Sequence, residues 1–363
     1  MIQKTAEILK REYSYYTDQP VSATLELTYR CNLTCRTCGV WKKGFKDIEK
    51  ELILEETCQI IDQLKEFGIE RISLLGSEPF MKENVEQIFR TIKKIGLKCF
   101  ITSNGVLMTP ENIRAMVETE VDRINISIDG VGERHDKIRG APGTFEKARA
   151  NVRLLVEERE KSGKKKPEIT LHSTLSRLNI DQIEPVKKLK DEWQVDHVTF
   201  QYMVETPKEK VEETQFDGTR AASHRLSAWN DSLLFRKEEV DHLRQTIQRM
   251  RERGEKLDFA MRSLDRWSDQ NLLTGQVPIK KCYATHNHLL INPFGELIPC
   301  SNIDDLSFGN LRENSLEEIW NSVKRNGFMQ QLNQQFFPVC SSCANFSMTP
   351  AQILTVMTGG TLR

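Results

Sequence analysis

Six strand-like segments alternate with helix-like segments between residues 21 and 205, and this alternation restricts the possible folds more than any other feature. Strands are predicted at 21–29, 71–76, 98–102, 123–129, 168–175 and 197–203. Helical patterns lie between them, at about 55–67, 82–95, 110–118, 144–161 and 181–192. Repeated β–α alternation implies a parallel sheet with right-handed crossovers. The sequence therefore predicts an α/β fold, a partial (β/α)6 TIM-like barrel with its chemistry at the carboxyl ends of the strands.

The length and the charge balance of the chain exclude several classes of function. The chain has 363 residues, with 52 Lys and Arg against 52 Asp and Glu. This balance provides no electrostatic surface for nucleic acid or an anionic membrane. No apolar run approaches the roughly 20 residues of a membrane helix, and the N-terminus has no signal-peptide core. We therefore expect a cytoplasmic protein without a nucleic-acid or membrane partner.

Seven of the nine cysteines fall into two groups. The first group directly follows the first predicted strand and consists of Cys31, Cys35 and Cys38. The second lies near the C-terminus and consists of Cys282, Cys300, Cys340 and Cys343. In a reducing compartment such groups indicate metal ligation rather than disulfides. The remaining Cys58 and Cys99 are interpreted as small buried hydrophobic residues.

The number of thiols in each group predicts a different coordination. Three thiolates from one loop can hold three irons of a cubane cluster, which leaves the fourth iron without a protein ligand. Fully ligated iron–sulfur clusters take four cysteines, as the second group provides. Zinc is the alternative at both places, as a zinc loop in the first group and a four-cysteine zinc knot in the second.

The spacing of Cys31, Cys35 and Cys38 after a first strand resembles the signature of the radical S-adenosylmethionine (SAM) superfamily. The resemblance implies a SAM-binding [4Fe–4S] cluster on these cysteines, with the open iron chelated by the amino and carboxylate groups of SAM. It further implies reductive cleavage of SAM to a 5′-deoxyadenosyl radical, and an electron donor of the flavodoxin or ferredoxin type.

Two further strand ends resemble SAM-contacting elements of the same superfamily. Gly76-Ser77-Glu78-Pro79 is similar to the GGEP element, whose backbone carbonyl and Glu contact the SAM amino group, although Ser77 replaces its second glycine. At the third strand, the resemblance implies that Ser103 or Asn104 holds SAM near its ribose. The alternatives are an ordinary strand-to-helix turn and an Asn-Gly turn.

The fourth strand and the loop after it resemble the SPASM/twitch branch of the superfamily. Ser127 maps to a SAM-contacting serine, and Asp129 follows it at the end of the strand among the cofactor-binding candidates. Arg139 maps to the arginine of the loop, and we suggest that it pairs with the SAM carboxylate, a bidentate contact that suits a guanidinium. The alternative is a structural ion pair of Arg139 with Asp129 or Asp136.

The C-terminal part of the chain predicts a small α+β domain made of a β-hairpin and a helix. Asn292-Pro293-Phe294-Gly295 is a hairpin signal, and Ser315 opens a helix with a capping-box pattern. Together with the second cysteine group this region resembles the auxiliary-cluster domain of SPASM/twitch enzymes, in the shorter twitch form, because no cysteine follows Cys343. The resemblance implies one auxiliary [4Fe–4S] cluster on Cys282, Cys300, Cys340 and Cys343, with a role in electron transfer.

We expect four regions along the chain. They are an N-terminal helical extension (1–20), the barrel (21–205), a helical or inserted linker (206–281) and the auxiliary iron–sulfur domain (282–363). The fifth and sixth strands bring candidates for substrate contact or proton transfer to the barrel mouth. These candidates are His172, Tyr202 and Glu205.

The sequence predicts an enzyme that abstracts hydrogen from a small-molecule substrate. A saturated auxiliary cluster favours net oxidation of a sugar-like metabolite. The alternative is a peptide or protein maturase that makes a cross-link, an epimer or an oxidised side chain, which the short segment before the first strand disfavours because it has no room for a leader-peptide domain. A non-catalytic metal-binding scaffold is the remaining alternative.

Overall fold

The computed structural model describes residues 16–43, 47–221, 232–262, 264–277, 282 and 284–343. The N-terminal helix predicted within residues 1–20 lies mostly outside this part of the chain.

Six parallel strands form the body of the protein, in the sequential order expected of a partial barrel. They are β1 (Ser22–Glu26), β2 (Arg71–Leu75), β3 (Lys98–Ser103), β4 (Arg123–Ser127), β5 (Glu168–Leu175) and β6 (His197–Tyr202). Each corresponds to a predicted strand, so the predicted α/β fold is confirmed. Because all six run in the same direction, their carboxyl ends lie at one edge of the sheet.

Helices connect consecutive strands and cover the outer face of the sheet. They are α1 (Leu54–Glu66), α2 (Val85–Lys94), α3 (Pro110–Glu118), α4 (Glu133–Arg139), α5 (Thr144–Lys161) and α6 (Ile183–Glu192). Thr109 caps α3 by accepting a hydrogen bond from the backbone of Asn112, and Pro110 occupies the first helical turn. Only α4 was not among the predicted helices. It is a seven-residue helix that ends at Gly140, which has a φ of 75°.

Side chains alternate between the two faces of the sheet, as expected for strands. Ile124 and Ile126 of β4, and Ile169 and Leu171 of β5, belong to the main hydrophobic core beneath the helices. The intervening residues of these strands therefore face the interior of the barrel. This assignment determines which side chains can meet a ligand.

The C-terminal hairpin is continuous with the barrel rather than separate from it. It consists of β9 (His288–Ile291) and β10 (Glu296–Ile298), joined by the predicted turn, and it is followed by β11 (Gly309–Asn310). Strand β9 pairs in parallel with β1, so that nine strands of the described chain form one sheet. This pairing covers the edge that β1 would otherwise expose.

The remaining α-helices and strands of the described residues include a separate two-stranded sheet of the strands at residues 215–216 and 219–220. They are α7 (Lys208–Glu213), β7 (Gln215–Phe216), β8 (Thr219–Arg220), α8 (Lys237–Glu252), α9 (Phe259–Arg262), α10 (Asp269–Thr274), α11 (Ala284–Asn287), α12 (Leu316–Trp320) and α13 (Val323–Gln334). Helix α8 buries Val240, Leu243 and Ile247 in a second hydrophobic cluster with residues of β6. Within the described residues, none of the helices combines the length and the hydropathy needed to span a membrane.

Candidate iron–sulfur and S-adenosylmethionine site

The loop of residues 31–38, which we call the cysteine loop, follows β1 and is fixed by backbone contacts. Arg36 N donates to Ile138 O at 2.8 Å, which ties the loop to α4. Trp41 Nε1 donates to Cys35 O at 3.2 Å. Cys35 is buried, whereas Cys31 and Cys38 are partly exposed. The loop backbone is therefore held at Cys35 and Arg36, between its second and third cysteines.

The three thiols of the cysteine loop are a donor set that fits three irons of one cluster. Burial raises the pKa of Cys31 to about 12 and also raises the pKa of Cys35, so both are thiols at neutral pH until a metal binds. In the described part of the chain, no three His, Cys, Asp or Glu side chains are arranged to hold one metal ion. A zinc ion draws its sulfur ligands to about 2.3 Å, whereas a cubane cluster holds them farther apart.

Gly76 is required by the close approach of the segment after β2 to the segment after β1. It has a φ of 116°, and a Cβ atom at this position would lie 2.6 Å from Thr28 O. The next residues continue the contact, because Ser77 N donates to Thr28 O and Glu78 N donates to Arg30 O. The predicted strand-to-helix turn thus also supports the backbone that leads into the cysteine loop.

The carboxyl group of Glu78 joins the ends of β2 and β3. It is fully buried, and it accepts hydrogen bonds from Ser103 Oγ and Asn104 N, both at 2.8 Å, and from Phe80 N at 3.2 Å. Burial raises its pKa to about 7. Both oxygens are used within the protein, and the expected contact of Glu78 with the SAM amino group stays a prediction.

Asn104 connects the end of β3 to the cysteine loop. Its Nδ2 donates to Asn32 Oδ1 at 2.8 Å, and its Oδ1 accepts from Val106 N at 2.9 Å. The side chain therefore positions the loop between the first two cysteines. The structure shows this contact of Asn104 with the cysteine loop, and the expected role of Ser103 or Asn104 near the ribose stays a prediction.

Arg139 makes one of the two alternative ion pairs considered for it. Its Nη2 lies 2.8 Å from Asp129 Oδ2, and its Nη1 donates to Cys35 Sγ at 3.8 Å. Asp136 instead accepts hydrogen bonds from Gly143 N and Phe145 N at the start of α5. The suggested pairing of Arg139 with the SAM carboxylate stays a prediction. In the structure, the guanidinium of Arg139 lies between the carboxylate of Asp129 and the thiol of Cys35.

His135 was not assigned a role from the sequence, yet it lies beside this ion pair. Asp129 N donates to His135 Nδ1 at 3.2 Å, and Asp129 Oδ1 accepts from Thr174 N at 2.9 Å. Burial lowers the pKa of His135 to about 3, so the imidazole is neutral. Its place in the loop motif was visible in the sequence, but its partner was not.

His172 lies on the interior face of the barrel, in register with Ser127 of β4. Its Nδ1 lies 2.9 Å from Thr199 Oγ1 of β6. Burial lowers its pKa, which favours the neutral imidazole. The expected role of His172 in substrate contact or proton transfer stays a prediction.

Tyr202 does not face the barrel interior as expected, and this is a correction, whereas the expected role of Glu205 stays a prediction. Tyr202 belongs to the second hydrophobic cluster, and its hydroxyl donates to Ala260 O at 3.0 Å. It alternates with Gln201 and faces the outer helices because successive side chains of a strand point to opposite faces. The carboxylate of Glu205 accepts hydrogen bonds from Leu233 N and, at 2.9 Å, from Ser232 Oγ. Both residues hold elements of the fold together.

The second cysteine group is assembled from three separate segments. Burial raises the pKa of Cys300 well above its usual value, and nearby Cys343, Cys340 and Cys282 raise it further. The four thiols thus face a common space although they are far apart in the chain. As at the first group, no single-ion arrangement is found among the described residues. The donor set fits one cluster with four cysteine ligands.

An ion pair links the two cysteine groups. Lys43 Nζ lies 2.8 Å from Asp304 Oδ2, and the Asp304 side chain is completely buried. Lys43 also lies over the ring of Tyr29, 4.4 Å from its centre. Lys43 follows the cysteine loop and Asp304 follows Cys300, so this contact couples the two regions.

Family models match two separate parts of the chain, and relatives match most of its length. A model described as the radical SAM superfamily matches residues 25–173, and one described as an iron–sulfur cluster-binding domain, SPASM, matches residues 282–344. The AdoMet-dependent heme synthase of Methanosarcina barkeri (strain Fusaro / DSM 804) is 26% identical over 317 residues, covering 85% of this chain and 84% of that protein. The PqqA peptide cyclase of Rhizobium meliloti (strain 1021) is 24% identical over 338 residues, covering 89% and 79%.

A solved structure supports the fold over most of the chain. The crystal structure of Streptococcus suis SuiB bound to S-adenosylmethionine superposes with a TM-score of 0.64 at 13% identity, covering 96% of this chain and 79% of that one. The two family models, rather than this structural likeness, confirm the predicted domain types and their cofactors: a SAM-binding [4Fe–4S] cluster, auxiliary iron–sulfur binding and SAM. The chain belongs to the radical SAM superfamily, in the branch that carries a SPASM-type iron–sulfur domain after the barrel.

Proposed function

We propose that this enzyme abstracts hydrogen from a small, sugar-like substrate and completes a net oxidation by passing an electron to one auxiliary cluster. Cys31, Cys35 and Cys38 would hold the SAM cluster. Cys282, Cys300, Cys340 and Cys343 would hold the auxiliary cluster. When bound, the first cluster with SAM would supply the radical chemistry for hydrogen abstraction, and the auxiliary cluster would supply an acceptor for one electron.

The observation that carries this proposal is the polar interior face of β4 to β6. Cross-strand hydrogen bonds join Gln201 Nε2 to Thr174 Oγ1 at 2.8 Å and His172 Nδ1 to Thr199 Oγ1 at 2.9 Å. The alternate residues of these strands pack under the helices. The face near the carboxyl ends thus presents hydroxyl, amide and imidazole groups, which suit a ligand that is rich in hydroxyl groups and carries no net charge.

His172 would hold a proton during this reaction. Its neutral imidazole can accept the hydroxyl proton of the substrate, and Thr199 Oγ1 fixes the orientation of its ring. Removal of one hydrogen atom, one electron and this proton from a CH–OH group leaves a carbonyl group. The atoms and electrons of the proposed oxidation therefore balance without a further oxidant.

A peptide substrate is the second candidate, and the PqqA peptide cyclase among the relatives supports it. The heme synthase among the relatives is named for the synthesis of heme, which has a large apolar ring system. Such a ring is poorly complemented by the polar face of β4 to β6, because polar groups facing an apolar surface lose their hydrogen bonds to water. The polar face therefore favours a sugar-like molecule or a polar peptide segment.

Deuterium transfer distinguishes these substrates. The anaerobically reconstituted full chain, with dithionite and SAM, is incubated separately with carbon-deuterated hexoses and aminocyclitols, with carbon-deuterated peptides, and with a carbon-deuterated porphyrin. We expect deuterium in 5′-deoxyadenosine from a sugar or a cyclitol. Transfer from the peptides or the porphyrin alone would contradict the proposal, as would the absence of 5′-deoxyadenosine from protein with full clusters.

Two matched variants locate the substrate on the interior face. His172→Phe removes an interior imidazole and should reduce deuterium transfer about 100-fold, as expected for loss of a proton acceptor. Tyr202→Phe removes a hydroxyl on the opposite face of the sheet, where its partner is Ala260 O, and should leave transfer within about twofold. Equal losses in both variants would contradict the assignment of the two faces.

A further inference from the structure

The end of α4 is pressed against the cysteine loop on both sides of Arg139. Ile138 O accepts a hydrogen bond from Arg36 N at 2.8 Å. At Gly140, a Cβ atom would lie 2.6 Å from Thr34 O, and the backbone φ is 75°. The residues before and after Arg139 are therefore both fixed to the loop. Arg139 projects from a backbone that has little freedom to withdraw from Cys35.

The guanidinium of Arg139 is shared between a sulfur and a carboxylate. Its Nη1 donates to Cys35 Sγ at 3.8 Å, and its Nη2 lies 2.8 Å from Asp129 Oδ2. The side chains of Arg139 and Asp129 are only 12% and 1% exposed, so water screens these charges weakly. Asp129 is itself held by Thr174 N. The arrangement fixes both the direction and the distance of the guanidinium relative to Cys35.

We propose that Arg139 tunes the reduction potential of the SAM-binding cluster by donating a hydrogen bond to the sulfur of Cys35, while Asp129 limits the size of this effect. Hydrogen bonds to cluster sulfurs, and nearby charge, are established determinants of cluster potentials. One-electron reduction adds negative charge to the cluster, which a nearby N–H donor and positive charge stabilise. Arg139 therefore raises the potential, and the anionic Asp129 lowers it. This inference rests on the proposed ligation by Cys35, but not on the identity of the substrate.

A potentiometric titration followed by EPR tests this inference in the reconstituted full chain. The signal that changes when SAM is added identifies the cluster of the cysteine loop. Arg139→Gln should lower the ratio of reduced to oxidised cluster at a fixed potential by about tenfold, which is about 59 mV for a one-electron couple. Arg139→Lys keeps the charge and should show a smaller decrease.

Asp129→Asn should shift the ratio in the opposite direction. The asparagine retains an oxygen that can accept from Thr174 N, but it removes the negative charge beside Arg139. Arg134→Gln is the matched control, because Arg134 lies on the same helix and bonds instead to Leu178 O and Asp181. It removes the same charge without touching the loop, and should leave the potential unchanged.

Opposite shifts in the Arg139 and Asp129 variants support the inference, because general damage to the loop would move both in one direction. Shifts in the same direction, or a shift in Arg134→Gln equal to that in Arg139→Gln, would overturn it. An unchanged potential in Arg139→Gln together with weaker binding of SAM would also overturn the inference. That result would support a contact of Arg139 with the SAM carboxylate instead. If Arg139→Gln binds no cluster, the signs in Arg139→Lys and Asp129→Asn decide.

Discussion

Both cysteine groups provide thiol ligands for an iron–sulfur cluster, but one group is local in the sequence and the other is assembled from distant segments. The cysteine loop places three thiols within residues 31–38, and the ends of β2, β3 and α4 hold it through hydrogen bonds. The second group draws its thiols from positions 282, 300 and 340–343, which only the folded C-terminal region brings together. A local motif can thus define a site that binds a substrate-like nucleotide. The second site, for which we propose electron transfer, is built from distant segments.

The thiol count of each group predicts a different dependence on its cysteines. Three ligands leave one iron open for SAM, whereas four ligands leave none. The first group is expected to be necessary for cleavage of SAM, and the second only for the completion of substrate oxidation. The following substitutions test this contrast between the two groups.

Cys35→Ala is expected to have the largest effect. It removes a buried ligand of the cysteine loop, and the cleavage of SAM should fall by about 1000-fold or more, equivalent to about 4 kcal/mol in the barrier. Bound iron should fall by about four atoms per chain. Quantification of 5′-deoxyadenosine and iron measures both. Retention of SAM cleavage would contradict the assignment of Cys35.

Cys300→Ala should separate the two groups. We expect loss of the auxiliary cluster and a decrease of about 100-fold in oxidised product, while dithionite-driven cleavage of SAM to 5′-deoxyadenosine persists. The ratio of 5′-deoxyadenosine to product measures this uncoupling. Parallel loss of cleavage and product, with the iron of the first group intact, would show that the two groups do not act separately.

Gly76→Ala tests whether the strand ends support the first group specifically. The added Cβ would meet Thr28 O at a φ of 116°, so we expect a loss of about 2 kcal/mol in unfolding free energy and less iron in the first group. Gly68→Ala is the matched control, since Gly68 also has a positive φ, of 93°, but nothing lies within 4 Å of the added atom. It should cost about 1 kcal/mol. Urea unfolding compares the two, and equal losses would contradict the steric explanation.

The Lys43–Asp304 pair should give the smallest effect. A double-mutant cycle with Lys43→Met and Asp304→Asn is expected to show a coupling energy of about 1 kcal/mol, because the Asp304 carboxylate is buried. The exposed pair of Arg90 with Glu118 is the control, with a coupling of about 0.3 kcal/mol. Equal couplings in the two cycles would indicate that this contact does not join the two regions.

The sequence was most informative where the information is local. Alternating β and α segments predicted all six barrel strands, and the spacing of the first cysteines predicted their loop. The side chain of Tyr202 was assigned to the wrong face of the sheet. It is one residue away from the interior position of Gln201, and adjacent residues of a strand point to opposite faces.

Contacts between distant segments could not be predicted from a single chain. The parallel pairing of β9 with β1 joins residues more than 260 positions apart, as for Ser22 with His288. The contact of Arg139 with Cys35 likewise requires the fold, because the motif indicated an arginine near the site but not which atom it approaches. The three hydrogen bonds that the Glu78 carboxylate accepts within the protein could not be predicted for the same reason.

Electron–nuclear double resonance with isotopically labelled SAM tests the central claim most directly. The full chain is reconstituted and reduced, and SAM labelled with 15N in its amino group and 17O in its carboxylate is added. If the three-cysteine group leaves one iron open, both labels should couple to one cluster, and this coupling should be absent in Cys35→Ala but present in Cys300→Ala. Zinc in the cysteine loop, or clusters without coupling to either label, would contradict the account.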